Sequence, residues 1–259
     1  MTRKPKNYRF VYITSVTILL TCSCNSQSKR LPTGLEIPAI KDSNSIVVHK
    51  GFTASFNSTY MIPDWVAYEL TSEELLGNVR RPSNSPFRKD PKYKGKQPKR
   101  SDYFHSGWDK GHMAPCADMK WSEKAMIESF YFSNICPQNH DFNAGNWERL
   151  EKKARKLARS KDTLYIVCGP IIASNSFGHL GSNHVAIPDS FFKAFLYKDT
   201  CGYHSIAYLM PNRQTGKNLN EYSLSVNDLE AIIDLDLFTH LDPVVQDSVE
   251  SQLVFTDWE

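Results

Sequence analysis

The chain lacks internal repeats and low-complexity segments, which excludes solenoids, propeller arrays and disordered tracts. Cysteine is scarce, with six in 259 residues and only four, Cys116, Cys136, Cys168 and Cys201, beyond the first thirty. Net charge is small at +3, so global charge names no partner. The candidate ligands His105, His112, Cys116, Cys136 and His140 match no familiar zinc spacing. No base-reading module is evident either. The mostly apolar stretch at residues 10–20 is eleven residues long and broken by Thr14, Ser15 and Thr17, whereas a spanning helix needs about 20 apolar residues.

That stretch suits a signal-peptide apolar region instead. Arg3, Lys4, Lys6 and Arg9 precede it, and Leu19-Leu20-Thr21-Cys22-Ser23-Cys24 follows as a lipoprotein-type processing site. Either Cys22 or Cys24 qualifies as the acylated residue. The expected organisation is a signal peptide over residues 1–24, a tether over 25–44 and one domain over 45–259. The expected location is the bacterial cell envelope, with a membrane anchor made by lipid. Removing the leader takes four basic residues from a net charge of +3 and leaves −1.

The remaining basic charge is concentrated. Residues 80–100 carry nine Lys/Arg against one acid, Asp90, for a local charge of +8. The same segment holds Pro82, Pro86, Pro91, Gly95 and Pro98, which marks a long irregular loop. A basic loop beside a candidate site suits a polyanionic substrate. Taken alone, it is equally a solvated loop with no partner.

Apolar patterning predicts strands at residues 45–49 with Phe52, at 63–70, 164–168, 191–197 and 206–210. It predicts a short helix capped by Ser122, a long helix over residues 143–160, and a helix over 225–233 capped by Ser225. Strands and helices alternate irregularly, so an α+β fold is expected, with a mixed, largely antiparallel sheet core and flanking helices. In an oxidising compartment the four body cysteines can pair three ways. Cys168, within an apolar run, also reads as a buried free thiol.

Two polar clusters carry the chemistry. The first is Asp109-Lys110-Gly111-His112. The second begins at Ser133-Asn134-Ile135-Cys136-Pro137-Gln138 and continues through Asn143 to Glu151. They supply a base, a cation, amide ligands and a carboxylate, the parts that hold one hydrated metal and aim a water at a phosphodiester. A regular helix from Asn143 would set Glu151 about 80° away at roughly 100° per residue. An amide oxygen and a carboxylate, completed by water, suit Mg2+. The plainer readings are a helix cap for Asn143 and an ion pair with Arg155 for Glu151. His49, His105, His140, His179, His184, His204 and His240 have no comparable context.

The ordered motifs resemble those of the DNA/RNA non-specific endonuclease family, the sugar-non-specific nucleases with a ββα-metal site. The likeness rests on Asp109-Lys110-Gly111-His112, on Ser133-Asn134 with Pro137-Gln138, and on Asn143 with Glu151. It extends to Trp65-Val66-Ala67-Tyr68, Gly169-Pro170 and Met210-Pro211-Asn212. The resemblance implies a ββα-metal motif and Mg2+-dependent hydrolysis of DNA and/or RNA, with Mn2+ as a substitute ion and 5′-phosphorylated products. It implies His112 as general base, Asn143 as the direct metal ligand and Glu151 as a ligand through water. Asn134 would orient the site or touch substrate. Lys110 stands where the family has arginine, and lacks the bidentate fork. A second family arginine corresponds to Arg80, Arg81 or Arg88. The alternative from a different class is a non-catalytic nucleic-acid-binding envelope lipoprotein.

Overall fold

Alternation along the long strands explains the architecture. In Ile62–Thr71, Val66, Tyr68 and Leu70 join one core, while Trp65 and Ala67 join another. Such two-sided burial needs cover on both faces of a sheet, and the computed structural model provides it. The chain divides into two units, Met1–Arg30 and Leu31–Glu259. The structure describes residues 1–2, 31–84, 86–173 and 177–258. The leader, with Cys22 and Cys24, lies outside the described residues. Among the described residues no helix is long and apolar enough to cross a membrane.

The second unit is built on a seven-stranded sheet. Its strands are β1 (Ile46–Val48), β2 (Thr53–Asn57), β3 (Ile62–Thr71), β6 (Thr163–Ile171), β9 (Ser190–Asp199), β10 (Gly202–Pro211) and β11 (Ser223–Leu224), in that spatial order. All six neighbouring pairs are antiparallel. Two small ribbons pair β4 (Asp109–His112) with β5 (Ile135–Gln138), and β7 (His179–Leu180) with β8 (Val185–Ala186).

The helices are α1 (Glu123–Glu128), α2 (His140–Phe142), α3 (Glu148–Lys161), α4 (Val226–Ile233) and α5 (Pro243–Glu250). Ser122 caps α1 by accepting from the Ala125 N–H, and Ser225 caps α4 through the Asp228 N–H, as the sequence predicts. On α3, Leu150, Ala154, Leu157 and Ala158 form the buried stripe.

β3 and β6 are sheet neighbours, yet residues 72–162 lie between them. That excursion carries β4, β5 and α1 to α3, and packs on the face bearing Val66, Tyr68, Ile166, Phe195 and Tyr208. α4 supplies Val226 and Leu229 to the opposite face, against Trp65, Val167 and Phe192.

Three expectations are corrected. The first strand is two, β1 and β2, joined by a turn in which the His49 N–H donates to Phe52 O at 2.7 Å. The tether does not extend to residue 44, because Ile37 is fully buried in the second core and the Ala39 N–H donates to Asp236 O at 2.8 Å. The helix expected from Asn143 is interrupted: a π-helical turn, Asn143–Trp147, joins α2 to α3 and leaves helical geometry at Gly145. That turn takes up an extra residue, so a phase counted at about 100° per residue does not hold across it.

Candidate active site

The β4–β5 ribbon sets Asp109 opposite Gln138, Lys110 opposite Pro137, Gly111 opposite Cys136 and His112 opposite Ile135. Gly111 is a close-approach position, since a Cβ there would lie 1.9 Å from Gln138 Oε1. Gln138 is fully buried and has little room to move aside.

Asn134 clamps the backbone beyond His112. Its Oδ1 accepts from the Ala114 N–H, and its Nδ2 donates to the carbonyls of Ala114 and Ser129, each at 2.8 Å. The residue is 0% exposed, which favours the orienting role over direct contact with substrate. Asn212, part of the motif near the end of β10, ties the other end of β5. It accepts from the Asn139 N–H at 2.8 Å and donates to Pro137 O at 3.2 Å and Pro188 O at 2.8 Å.

His112 sits in an aromatic corner. Its ring is edge-on to Phe130 at 4.9 Å and lies 5.5 Å from Phe87. Its carbonyl accepts from Trp147 Nε1 at 3.1 Å, and the next carbonyl, of Met113, accepts from Lys193 Nζ at 3.3 Å. Nε2 is buried without a hydrogen-bond partner. Burial, helped by the positive charge of Arg81, lowers the His112 pKa to about 3. The ring is therefore neutral at pH 7 and can accept a proton.

Lys193 is the residue that sequence reading missed here. It lies on β9 with the parity of Phe191, Phe195 and Tyr197, which join the core beneath the excursion. It is fully buried, with its ammonium 4.4 Å from the centre of the Trp147 ring. The signal was available as a lysine inside Phe191-Phe192-Lys193-Ala194-Phe195.

The Lys110 ammonium stands 5.3 Å from the Tyr103 ring and 5.6 Å from the Phe87 ring. Burial first, and then repulsion from Arg100, lower its pKa. Of the three upstream arginines, Arg81 is the one at His112: its guanidinium lies 5.3 Å from the Phe130 ring, the ring on which His112 rests. Arg88 instead donates to Pro86 O at 3.2 Å and lies 5.9 Å from the Tyr131 ring. Arg80 is exposed and makes no contact with the site among the described residues.

All nine basic residues of the loop at 80–100 are exposed, while its acid, Asp90, is buried. Asp90 accepts from Ser133 Oγ at 2.6 Å and meets His49 Nε2 at 2.7 Å. Burial opposes ionisation, but these partners carry the Asp90 pKa below the usual carboxylate range. His49, which has no signal in the sequence, thus pins the basic loop to the sheet. Phe87 also forms one wall of a shallow groove with Arg88, Lys89, Lys99, Arg100 and Phe104.

Asn143 Nδ2 donates to Asp109 Oδ2 at 2.9 Å, and the same oxygen meets His140 Nδ1 at 2.9 Å. The amide nitrogen is committed, which turns the amide oxygen away from Asp109. Glu151 is half-buried on the first turn of α3. Burial, against the pull of Lys193, raises its pKa to about 7. The expected pair with Arg155 does not form. Arg155 Nη1 donates instead to Asp118 Oδ1 at 2.7 Å, and Asp118 also accepts from the Tyr68 hydroxyl at 3.0 Å.

The amide oxygen of Asn143 and the half-buried carboxylate of Glu151 are donors of the kind that suit a hard, hydrated cation such as Mg2+. Among the described residues no metal-holding group forms from His105, His112, Cys116, Cys136 and His140, so the zinc reading has no geometry behind it. Cys116, Cys136, Cys168 and Cys201 are all free thiols, so of the alternatives left open by the sequence the unpaired one holds, including the buried free thiol read for Cys168. Cys168 donates to Met113 O at 3.3 Å, the carbonyl that Lys193 also holds.

A family model for DNA/RNA non-specific endonucleases matches residues 34–244. The chain is 36% identical over 218 residues to the mitochondrial nuclease EXOG of Danio rerio, covering 78% of this chain and 62% of that protein. It is 30% identical over 234 residues to a nuclease of Nostoc sp., covering 86% of this chain and 83% of that protein. A chain of the crystallised EndoG/EndoGI complex superposes with a TM-score of 0.70 at 26% identity, over 79% of this chain and 89% of that one. The chain thus spans less than two thirds of the EXOG relative but most of the Nostoc nuclease.

Proposed function

Because the chain belongs to the DNA/RNA non-specific endonuclease family, we propose that it is a Mg2+-dependent endonuclease that hydrolyses DNA and/or RNA with His112 as general base. The observation that carries this reading is a neutral, half-buried imidazole braced from behind by Trp147 and flanked by Arg81 and Lys110.

The exposed basic loop and Lys110 draw the nucleic-acid backbone to the ribbon. Contacts to phosphate, with no base-reading element, make cleavage tolerant of sequence. Arg81 meets the phosphate beside His112. In the free protein burial first, and then its charge, hold the imidazole pKa down. Pairing with phosphate cancels that charge and makes the ring a stronger base at the moment a substrate is present. The ring takes a proton from a water, and the resulting hydroxide adds to phosphorus. The P–O3′ bond then breaks, leaving a 5′-phosphate and, after proton uptake, a 3′-hydroxyl.

Asn143 through its oxygen, and Glu151 through water, would hold a Mg2+ that supplies Lewis-acid charge to the phosphate and the leaving oxygen. Asp109 fixes the Asn143 amide. Lys193 and Trp147 hold the carbonyls of Met113 and His112, and so the reach of the base.

The test is digestion of plasmid DNA and of RNA by the purified chain. Cleavage with Mg2+, its loss in EDTA and recovery with Mn2+ are expected; EDTA-resistant cleavage contradicts the proposal. The basic leader, short apolar stretch and Cys22/Cys24 pair support a lipid anchor on the cell envelope. Cys22→Ser and Cys24→Ser, followed by membrane fractionation, identify the acylated residue; membrane retention by the double variant excludes the anchor.

A further inference from the structure

On the sheet face opposite His112, three carboxylates converge. Glu230 comes from α4, Asp236 from the segment after it and Glu250 from the end of α5. One oxygen from each lies within 4.8 Å of the others. An independent observation points to a missing partner. Glu250 is 2% exposed, and its Oε1 is buried with no hydrogen-bond partner. A buried, unpaired carboxylate oxygen is costly.

The surrounding bonds steady the other two acids. Glu230 Oε1 accepts from the Leu237 N–H at 2.6 Å. Asp236 Oδ1 accepts from the Gln246 amide at 2.7 Å, and that amide also donates to Leu237 O at 2.8 Å. Among the described residues no ion pair reaches any of the three. Like charges this close cannot all stay ionised without a counter-charge. Burial first, and then mutual repulsion, push the Glu250 pKa to about 9; burial and Asp236 push that of Glu230 to about 7.

We propose that Glu230, Asp236 and Glu250 form a structural site for a divalent cation of the Ca2+ class, tying the end of α5 to α4. The donors are all hard oxygens, which disfavours zinc and copper. Mg2+ keeps most of its water and takes one or two carboxylates, whereas three carboxylates around a dry oxygen suit Ca2+. The site shares no residue with the one at Asn143.

The test is the melting temperature of the full chain, stripped with EDTA and titrated with CaCl2. Saturating Ca2+ raises Tm by on the order of 5 °C for wild type and for Asn143→Ala. Glu250→Gln abolishes the rise, yet in EDTA it melts no lower than wild type, because a neutral amide of the same size replaces a carboxyl that is already uncharged in the metal-free chain. Asp236→Asn, at an exposed position, weakens the Ca2+ response at least roughly tenfold and keeps the test open should Glu250→Gln fail to fold. An unchanged wild-type Tm, an equal rise with Mg2+, or a rise that persists in the carboxylate variants overturns the proposal.

Discussion

Replacing Asp109 with alanine should weaken metal use far more than it weakens the fold. The Asp109 side chain is 34% exposed and its partner His140 is 72% exposed, so that pair contributes about 1 kcal/mol or less. The 2.9 Å bond to Asn143 Nδ2 has a different consequence. Without it the amide is free to turn about its last torsion, a broad two-fold one, and can present nitrogen where oxygen is needed. Loss of such an outer partner typically weakens metal affinity about 10–100-fold, or about 1.4–2.7 kcal/mol. The assay is plasmid cleavage as a function of Mg2+ concentration. Asp109→Ala should shift half-saturation by about 10–100-fold and recover most of its rate at high Mg2+. His140→Ala should leave the curve within about twofold, since it removes only the exposed partner. An unchanged Asp109→Ala half-saturation, or a loss that Mg2+ cannot restore, would refute the reasoning.

Other consequences concern the charges around the site. With its pKa lowered to about 3, His112 should show no titration between pH 5 and 8 by NMR in the metal-free chain. The unfolded chain takes up this proton first, near pH 6.5. The corresponding stability is therefore present above that value and is lost as pH falls toward 3, on the order of 5 kcal/mol at most. Acid unfolding of His112→Leu should be correspondingly flatter. Lys110→Arg should preserve or raise the cleavage rate, because a guanidinium can bind phosphate through two bonds; a large loss would mean that the fit between Phe87 and Tyr103 requires an ammonium. Arg155→Ala leaves the fully buried Asp118 carboxylate with only Tyr68. Denaturant melts should show a loss of about 3–5 kcal/mol, and a loss below about 1 kcal/mol would mean that Asp118 is uncharged in the native state.

What was legible in the sequence was local or spaced by a fixed motif. Ser122 and Ser225 announce their helices because a cap and its N–H partner lie three residues apart. Motif order singles out His112, Asn143 and Glu151 as candidates. The parts that escaped depend on distant pairing. β4 has no apolar alternation, and becomes a strand only because residues 135–138 lie beside it. The π-helical turn shifts bonding by one residue, a change that apolar periodicity does not register. His49 and Asp90 are separated by 41 positions and meet only after the basic loop folds back. For Asn134 the motif leaves two roles open, orienting the site or touching substrate, and only its burial and its bonds to the backbone favour the first.

The most direct measurement is the single-turnover rate of plasmid cleavage by His112→Ala at saturating Mg2+. The account predicts a fall of at least about 100-fold, with the variant still folded and still binding DNA through the exposed loop. Cleavage at the wild-type rate would contradict the role given to His112 and, with it, the central claim.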